Sequence, residues 1–269
     1  MELKVDEKTV FAATGGKEFA PSLPAVIFLH GAGMDHSIWA LQTRWFAWHG
    51  YGVLAIDLPG HGKSDGPAYE TIDDMAAWVV RMIDACGAEK VSLVGHSMGS
   101  LVALAAAAEA GGRLSSLVLL GTAAVMPVHP DLLAATKSND PVAWDLIVSW
   151  GFGKPAHFGM NRAPGMWMQG GGRSLLARAP VDVLGIDMAA CDAWKRAPEA
   201  AARVTCPTVI VAGDRDMMTP VKAAAPLADA IPDAKTVILK ECGHIMMVER
   251  PDETLDTLIR AISPRDLAF

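Results

Sequence analysis

The stretch Val91-Ser92-Leu93-Val94-Gly95-His96-Ser97-Met98-Gly99 decides how this chain is read. Four mostly apolar residues predict a buried strand, and the Ala-rich run from Met98 to about Ala110 predicts a helix. A Gly-x-Ser-x-Gly pattern between a strand and a helix is the context of a nucleophile elbow. The turn has to be so tight that a Cβ at position 95 or 99 would collide with neighbouring backbone. In return the Ser97 hydroxyl stands clear of its own backbone above the sheet. The following helix points its positive end and free N–H groups at charge developing there.

Outward from that stretch, short β-branched runs repeat: Ala25 to Leu29, Val53 to Ile56, Leu117 to Leu120, Thr208 to Val211 and Thr236 to Leu239. They have the near-continuous apolar character of strands buried on both faces. Leu3 to Thr14 alternates loosely, as an antiparallel edge pair does. Between the runs lie helical patterns. Thr71 with Asp74 has capping-box character, and Met75, Trp78, Val79, Met82 and Ile83 then share one face. Pro251 suits a first helical turn, with Leu255, Leu258, Ile259 and Ile262 following at helical spacing. Strands alternating with helices predict an α/β fold with a mostly parallel, doubly wound sheet. Its catalytic residues belong in loops beyond the carboxyl ends of the strands.

One segment breaks the rhythm. Residues 123–204 carry no strand signal but hold Trp144, Trp150, Trp167 and Trp194, several methionines and the run Gly170-Gly171-Gly172. That is too long for a simple connection. It is expected to be a helical cap inserted after the sixth strand, with residues 1–122 and 205–269 forming the core domain. Most of its aromatic residues are expected to pack its own interior.

Composition narrows the function. The chain has 269 residues, 51% of them hydrophobic, and a formal net charge of −7. It lacks the basic balance that nucleic acid or an anionic membrane surface calls for. The longest apolar runs, such as Leu101 to Ala108, are too short to span a bilayer. Met1 to Gly15 shows mixed charges where a secretory signal would be basic and then apolar, so a cytoplasmic location is expected. Cys86, Cys191, Cys206 and Cys242 are widely spaced and read as reduced thiols; Cys242, two residues before His244, is the one with a redox alternative. No spacing suggests a metal, and no cofactor is expected.

A serine hydroxyl needs a base, and a pKa near neutrality points to histidine. His244, in Cys242-Gly243-His244, follows the last strand and so reaches the same rim as Ser97. Its imidazole needs a carboxylate to fix one tautomer. Two compete in Gly213-Asp214-Arg215-Asp216, at the end of the preceding strand.

With these residues in place, the chain resembles the α/β-hydrolase fold superfamily. The superfamily's order of nucleophile, acid and histidine is met by Ser97, Asp216 and His244. Its acid loop, Gly-x-x-Asp with Pro four residues on, matches Gly213, Asp216 and Pro220, which favours Asp216 and leaves Asp214 as a surface or loop-capping residue. His30-Gly31-Ala32-Gly33 stands where the superfamily places its first oxyanion loop, which implies an oxyanion hole of the Ala32 and Met98 N–H groups. Asp57-Leu58-Pro59-Gly60-His61-Gly62-Lys63-Ser64-Asp65 and Trp39 also resemble it, as framing. His30 and His96 are expected to be buried with satisfied hydrogen bonds, and His36, His49, His61, His129 and His157 to lie in loops or at the surface. The likeness runs from about Pro24 to Ile262, outside the cap.

Relatives with an aspartate at the elbow displace substituents from carbon. Ser97 implies instead attack on a carbonyl, an acyl-enzyme and its hydrolysis by water that His244 activates. The expected substrates are carboxylic esters of small to medium, largely apolar molecules, then lactones or enol-lactones. Carbon–carbon hydrolysis of ring-cleavage products ranks lower, because His96, Ser100 and Ile245 depart from the elbow and post-histidine residues of that group. Perhydrolase or haloperoxidase chemistry shares the triad, and a non-catalytic ligand receptor or an interfacial lipase are the remaining classes. Trp39, Trp144, Met166, Met168 and Ile245 are the candidates for lining the substrate cavity. The expected partner is a small-molecule ester or lactone, with the chain a monomer or homodimer.

Overall fold

The computed structural model describes residues 1–160 and 166–263. Eight strands form one sheet: β1 (Glu2–Val5), β2 (Lys8–Ala13), β3 (Ala25–Leu29), β4 (Gly52–Ile56), β5 (Val91–His96), β6 (Leu114–Leu120), β7 (Thr208–Gly213) and β8 (Lys235–Leu239). Their order is β1-β2-β4-β3-β5-β6-β7-β8. β1–β2 and β2–β4 are antiparallel, and every other pair is parallel. The doubly wound α/β sheet anticipated from the apolar runs is therefore present. β3, β4, β5 and all but one residue of β6 are buried, as strands covered on both faces must be. β8 departs from that expectation. Lys235, Thr236 and Ile238 are exposed, because β8 is the edge of the sheet and only Leu239 is buried.

The register places the site. Leu29 pairs with Gly95, Gly95 with Leu119, Leu120 with Val211, and Gly213 with Leu239. Strands aligned this way end at one rim, so the loops after β3, β5, β6, β7 and β8 converge there. From β3 the chain passes to β4 on one side, then returns to β5 on the other. This switch point leaves a crevice at the carboxyl ends of β3 and β5, where open α/β sheets bind ligands.

In the chain's order the helices are α1 (Ala40–Trp48), α2 (Ile72–Ala85), α3 (Met98–Glu109), α4 (Pro130–Lys137), α5 (Val142–Gly151), α6 (Lys154–His157), α7 (Met168–Ala177), α8 (Val183–Ala193), α9 (Ala197–Ala201), α10 (Val221–Ala230), α11 (Met246–Glu249) and α12 (Pro251–Ile262). α2 begins as its sequence requires: Thr71 Oγ1 accepts the Asp74 N–H at 3.0 Å. Met75, Trp78, Val79, Met82 and Ile83 are all buried. α3 has no polar face to show; its first ten residues are buried under the sheet, α2 and α9. Between β6 and β7 the described residues form helices and no strand. α4, α5, α7 and α8 pack on one another, whereas α9 lies against α3 and α10.

The elbow is as tight as its glycines require. Ser97 has φ +53°, in the left-handed half of the map that L-residues rarely occupy. A Cβ at Gly95 would lie 2.1 Å from the Gly99 carbonyl oxygen, and one at Gly99 2.5 Å from that of His30. Both obstacles are backbone and neither can rotate aside. Gly95→Ala should therefore cost about 3 kcal/mol, the upper end of core overpacking. Urea unfolding checks it, and a loss below about 1 kcal/mol would contradict so close an approach.

Candidate active site

Ser97 sits between β5 and α3, held by its own N–H, which donates to the Leu120 carbonyl at 2.9 Å. Its carbonyl accepts the Ser100 hydroxyl at 2.6 Å. Neither bond uses the Ser97 hydroxyl. His244 lies on the loop between β8 and α11 and is 2% exposed. Its Nδ1–H donates to Asp216 Oδ2 at 2.8 Å, with Thr219 Oγ1 at 3.1 Å. Its Nε2 is buried and has no hydrogen-bond partner among the described residues. Ser97, His244, Thr219 and Ala32 line one cavity of about 270 Å³, closed by Met126, Leu132, Trp150, Met188 and Met218. The structure thus brings together three residues that are far apart in the chain.

Asp216 is almost saturated with donors. Oδ1 accepts the N–H groups of Met218 and Thr219, both at 2.8 Å, and Oδ2 accepts the Thr219 hydroxyl at 2.7 Å besides His244. Burial favours the protonated acid, but the His244 ring beside it and these donors outweigh that and hold the carboxyl below its ordinary value. Asp214, the competing acid, is half-buried and accepts only a long 3.3 Å bond from the Cys242 N–H, besides lying 3.9 Å from Arg215.

The histidine loop is fixed from three sides. The His244 N–H donates to the Gly151 carbonyl at 2.6 Å, and its own carbonyl accepts from His96 Nε2 at 2.9 Å. A carbonyl only accepts, so His96 carries its proton on Nε2 and leaves Nδ1 bare. Nδ1 finds no partner among the described residues, which corrects the expectation that His96 is fully satisfied. Burial, with His244 adding to it, pushes the His96 pKa down to about 3, so the ring is a neutral donor. Glu249 accepts the N–H groups of Gly153, Gly243 and Ile245 at 2.8, 3.0 and 3.2 Å. Burial pushes its carboxyl above the ordinary value, with those three donors opposing. On the remaining side Gly121 makes room: a Cβ there would lie 2.8 Å from His244 Cε1.

Several expected positions are corrected. Trp39 lines neither of the two large cavities; it is fully buried, 5.1 Å from the Phe28 ring and edge-on to His96, and so belongs to the core. Trp144 lines neither large cavity either, and carries the Arg173 guanidinium 5.3 Å over its ring. Met166, Met168 and Ile245 do line a cavity, but a neighbouring one of about 390 Å³ shared with Met34, Phe152 and Leu176 and without Ser97. His61, expected in a loop or at the surface, is in a loop but fully buried beside Asp187. Met98 is the buried first residue of α3, next to Ser97, and Ala32 faces the cavity from the loop after β3. Cys242 is buried and desolvation pushes its thiol up, which suits packing.

Thr219, Glu249 and Gly121 were not singled out in the sequence. Thr219 had a signal, its place three residues after an aspartate, where a hydroxyl and an N–H close a local turn. The other two had none. Asp35, His36 and Asp57 come within reach of one another as metal ligands do. Their oxygens and nitrogen are already engaged: Asp35 with Arg178 and the Ser37 N–H, Asp57 with His36 and the Lys63 N–H. Among the described residues no helix is long and apolar enough to cross a membrane.

Comparison with known proteins bears on the family and the fold. Residues 26–257 match the alpha/beta hydrolase family. The 2-hydroxy-6-oxo-6-(2'-aminophenyl)hexa-2,4-dienoic acid hydrolase of Metapseudomonas resinovorans is 28% identical over 257 residues, 89% of this chain and 84% of that protein. The dihydrolipoyllysine-residue acetyltransferase component of the acetoin cleaving system of Cupriavidus necator is 42% identical over 96 residues, 35% of this chain and only a quarter of that protein. The enol-lactonase of Burkholderia xenovorans LB400 superposes with a TM-score of 0.86 at 22% identity, covering 97% of this chain and 99% of its own. With a match across most of its length, the chain belongs to the alpha/beta hydrolase family.

Proposed function

We propose that the protein is a serine hydrolase that cleaves carboxylic esters, cyclic esters included, through an acyl-enzyme. Ser97 is the nucleophile, His244 the base and Asp216 the residue that holds His244. The observation that carries this reading is the His244 ring itself. Its Nδ1–H is committed to Asp216 at 2.8 Å, so Nε2 presents a lone pair, unpartnered, to the cavity that Ser97 also lines. Nε2 takes the Ser97 proton as Oγ attacks the carbonyl carbon, and returns it to the leaving alcohol. Water then enters, loses a proton to Nε2 as it attacks the acyl carbon, and the acid leaves as that proton returns to Ser97 Oγ. The Ala32 and Met98 N–H groups receive the tetrahedral oxyanion, each donor worth about 10²–10³ in rate.

The cavity argues for the substrate class. At about 270 Å³ it lies at the small end of ligand pockets, and methionine, leucine and tryptophan dominate its wall. The segment between β6 and β7 supplies Met126, Leu132, Trp150 and Met188, the first from the loop before α4 and the others from helices, which supports its role as a cap excluding water from the acyl-enzyme. Carbon–carbon hydrolysis is the second reading, favoured by the Metapseudomonas relative. One panel separates them: p-nitrophenyl acetate to octanoate, five- and six-membered lactones, and a ring-cleavage diketone, each run beside Ser97→Ala. Esters of short acids should be turned over, and only by the enzyme that retains Ser97. Turnover of the diketone alone would install the second reading, and binding without turnover of anything would end both.

A further inference from the structure

The loop that carries Ala32 is held by the helical segment above the sheet as well as by the sheet. The N–H of Gly33, the next residue, donates to Asp187 Oδ2 at 2.8 Å. Asp187 lies on α8, 154 positions further along the chain, and is fully buried. One turn earlier on the same helix, Leu184 covers Gly33 so closely that a Cβ there would meet its Cδ1 at 2.7 Å. Gly33 itself has φ +63°.

Asp187 Oδ2 has a second partner, His61 Nε2 at 2.8 Å, and His61 Nδ1 faces the Pro59 carbonyl at 3.1 Å. Both ring nitrogens point at oxygens that only accept, so this imidazole carries two protons and a positive charge. Burial pulls its pKa down, yet the Asp187 charge and hydrogen bond prevail and raise it. The other titratable neighbours agree. His30, 4.8 Å away ring to ring, accepts the Leu58 N–H on Nε2 and is neutral, its pKa lowered to about 4 chiefly by burial. Asp57 adds negative charge. A buried ion pair of this kind is a weak source of stability, because desolvating two charges consumes most of their attraction. What it supplies is register.

That register falls on the oxyanion hole. The Gly33 N–H lies in the peptide plane that leaves Ala32, so fixing its direction fixes one of the two backbone torsions of Ala32. Oxyanion donors work by being aimed before charge develops. We propose that Asp187, with His61 behind it, is a positioning residue that aligns the Ala32 N–H, so that the oxyanion hole is complete only when α8 is seated on the loop. This rests on the reading of Ser97 as the nucleophile.

The test replaces the pair by apolar side chains of similar volume, Asp187→Leu with His61→Phe, an exchange that is often neutral or stabilising. Wild type and variants are compared for melting temperature, for kcat and KM on p-nitrophenyl acetate, and for Ki of an aryl trifluoromethyl ketone, whose adduct with Ser97 mimics the tetrahedral intermediate. The double variant strands the buried Gly33 N–H and so should melt at or somewhat below the wild-type temperature, yet lose about 10–100-fold in kcat, less than outright removal of a donor. KM should stay within about twofold, and the ketone should bind more weakly by the same factor as kcat falls. Asp187→Asn keeps an oxygen for the Gly33 N–H and should recover most of that loss. Should the double variant not fold, Asp187→Ser, too short to reach Gly33, is set against Asp187→Asn, with the loss expected of serine alone. A folded double variant, or serine variant, with unchanged kcat and ketone affinity, or one altered in KM alone, overturns the inference. A wild type that hydrolyses no ester and leaves Ser97 unlabelled by a fluorophosphonate removes the hydrolase reading, and this inference with it.

Discussion

Ser97→Ala should lower kcat on a short-chain ester by about 10⁴–10⁶ while leaving the fold intact. The expected loss is large because the other hydroxyl on the cavity wall, that of Thr219, is already committed to Asp216, and water attacking directly gains only from the oxyanion donors and from binding. The fold should survive because the bonds that hold residue 97 are made by its backbone: its N–H to Leu120 and its carbonyl to the Ser100 hydroxyl. Alanine keeps both, and the strain of φ +53° is shared by serine and alanine alike. Melting temperature and urea midpoint should therefore match the wild type within about 1 kcal/mol, the range of substitutions that break no packing or hydrogen bond. A fluorophosphonate should label the wild type once, at Ser97, and leave the variant untouched. A variant retaining more than a tenth of the activity would remove Ser97 from the chemistry.

What the sequence disclosed and what it withheld divide along physical lines. Strands buried on both faces announce themselves, because nothing but apolar and β-branched residues fits there; β3, β4 and β5 lie where Ala25 to Leu29, Val53 to Ile56 and Val91 to Val94 predict them. α2 was equally plain, its cap and its buried stripe written at helical spacing. β8 was misjudged for a different reason. Val237-Ile238-Leu239 reads like a central strand, and whether a strand is an edge depends on a neighbour that the local sequence does not contain.

The site shows the same division. Ser97 and His244 were legible because each follows the end of a strand on one rim, whereas Asp216 was preferred to Asp214 only through the resemblance to the superfamily's acid loop. The polar groups that brace them were not legible. Glu249 clasps three N–H groups from two loops, and His61 meets an aspartate 126 residues away. Such pairings are made by tertiary packing, and neither partner's neighbours in sequence record them. Trp39, read both as framing and as a cavity candidate, differs from the second of these: its ring is fully buried against Phe28.

Asp216→Asn should lower kcat by about 10⁴, and Asp214→Asn by less than threefold. The difference follows from how each carboxylate is used. At Asp216 the backbone dictates which way an amide must face. Oδ1 accepts two N–H groups, from Met218 and Thr219, so the asparagine oxygen has to occupy that place and its NH₂ the place of Oδ2. The NH₂ then points at His244 Nδ1, which can meet it only as an acceptor. The ring shifts to the tautomer with its proton on Nε2, and no lone pair remains to take the Ser97 proton; the wrong tautomer is worth about 10⁴ in a comparable triad. At Asp214 an amide oxygen accepts the single 3.3 Å bond from Cys242 as well as a carboxylate does. Stability gives an independent reading with a definite sign. The folded state holds the Asp216 carboxyl below its ordinary value, so its contribution is complete above the unfolded pKa, near 3.9, and is lost as pH falls through the folded one. The stability gap between wild type and Asp216→Asn, measured by urea unfolding, should therefore persist at pH 5 and close only in stronger acid. Equal losses of kcat from the two substitutions, or a larger one at Asp214, would move the role of acid from residue 216 to residue 214.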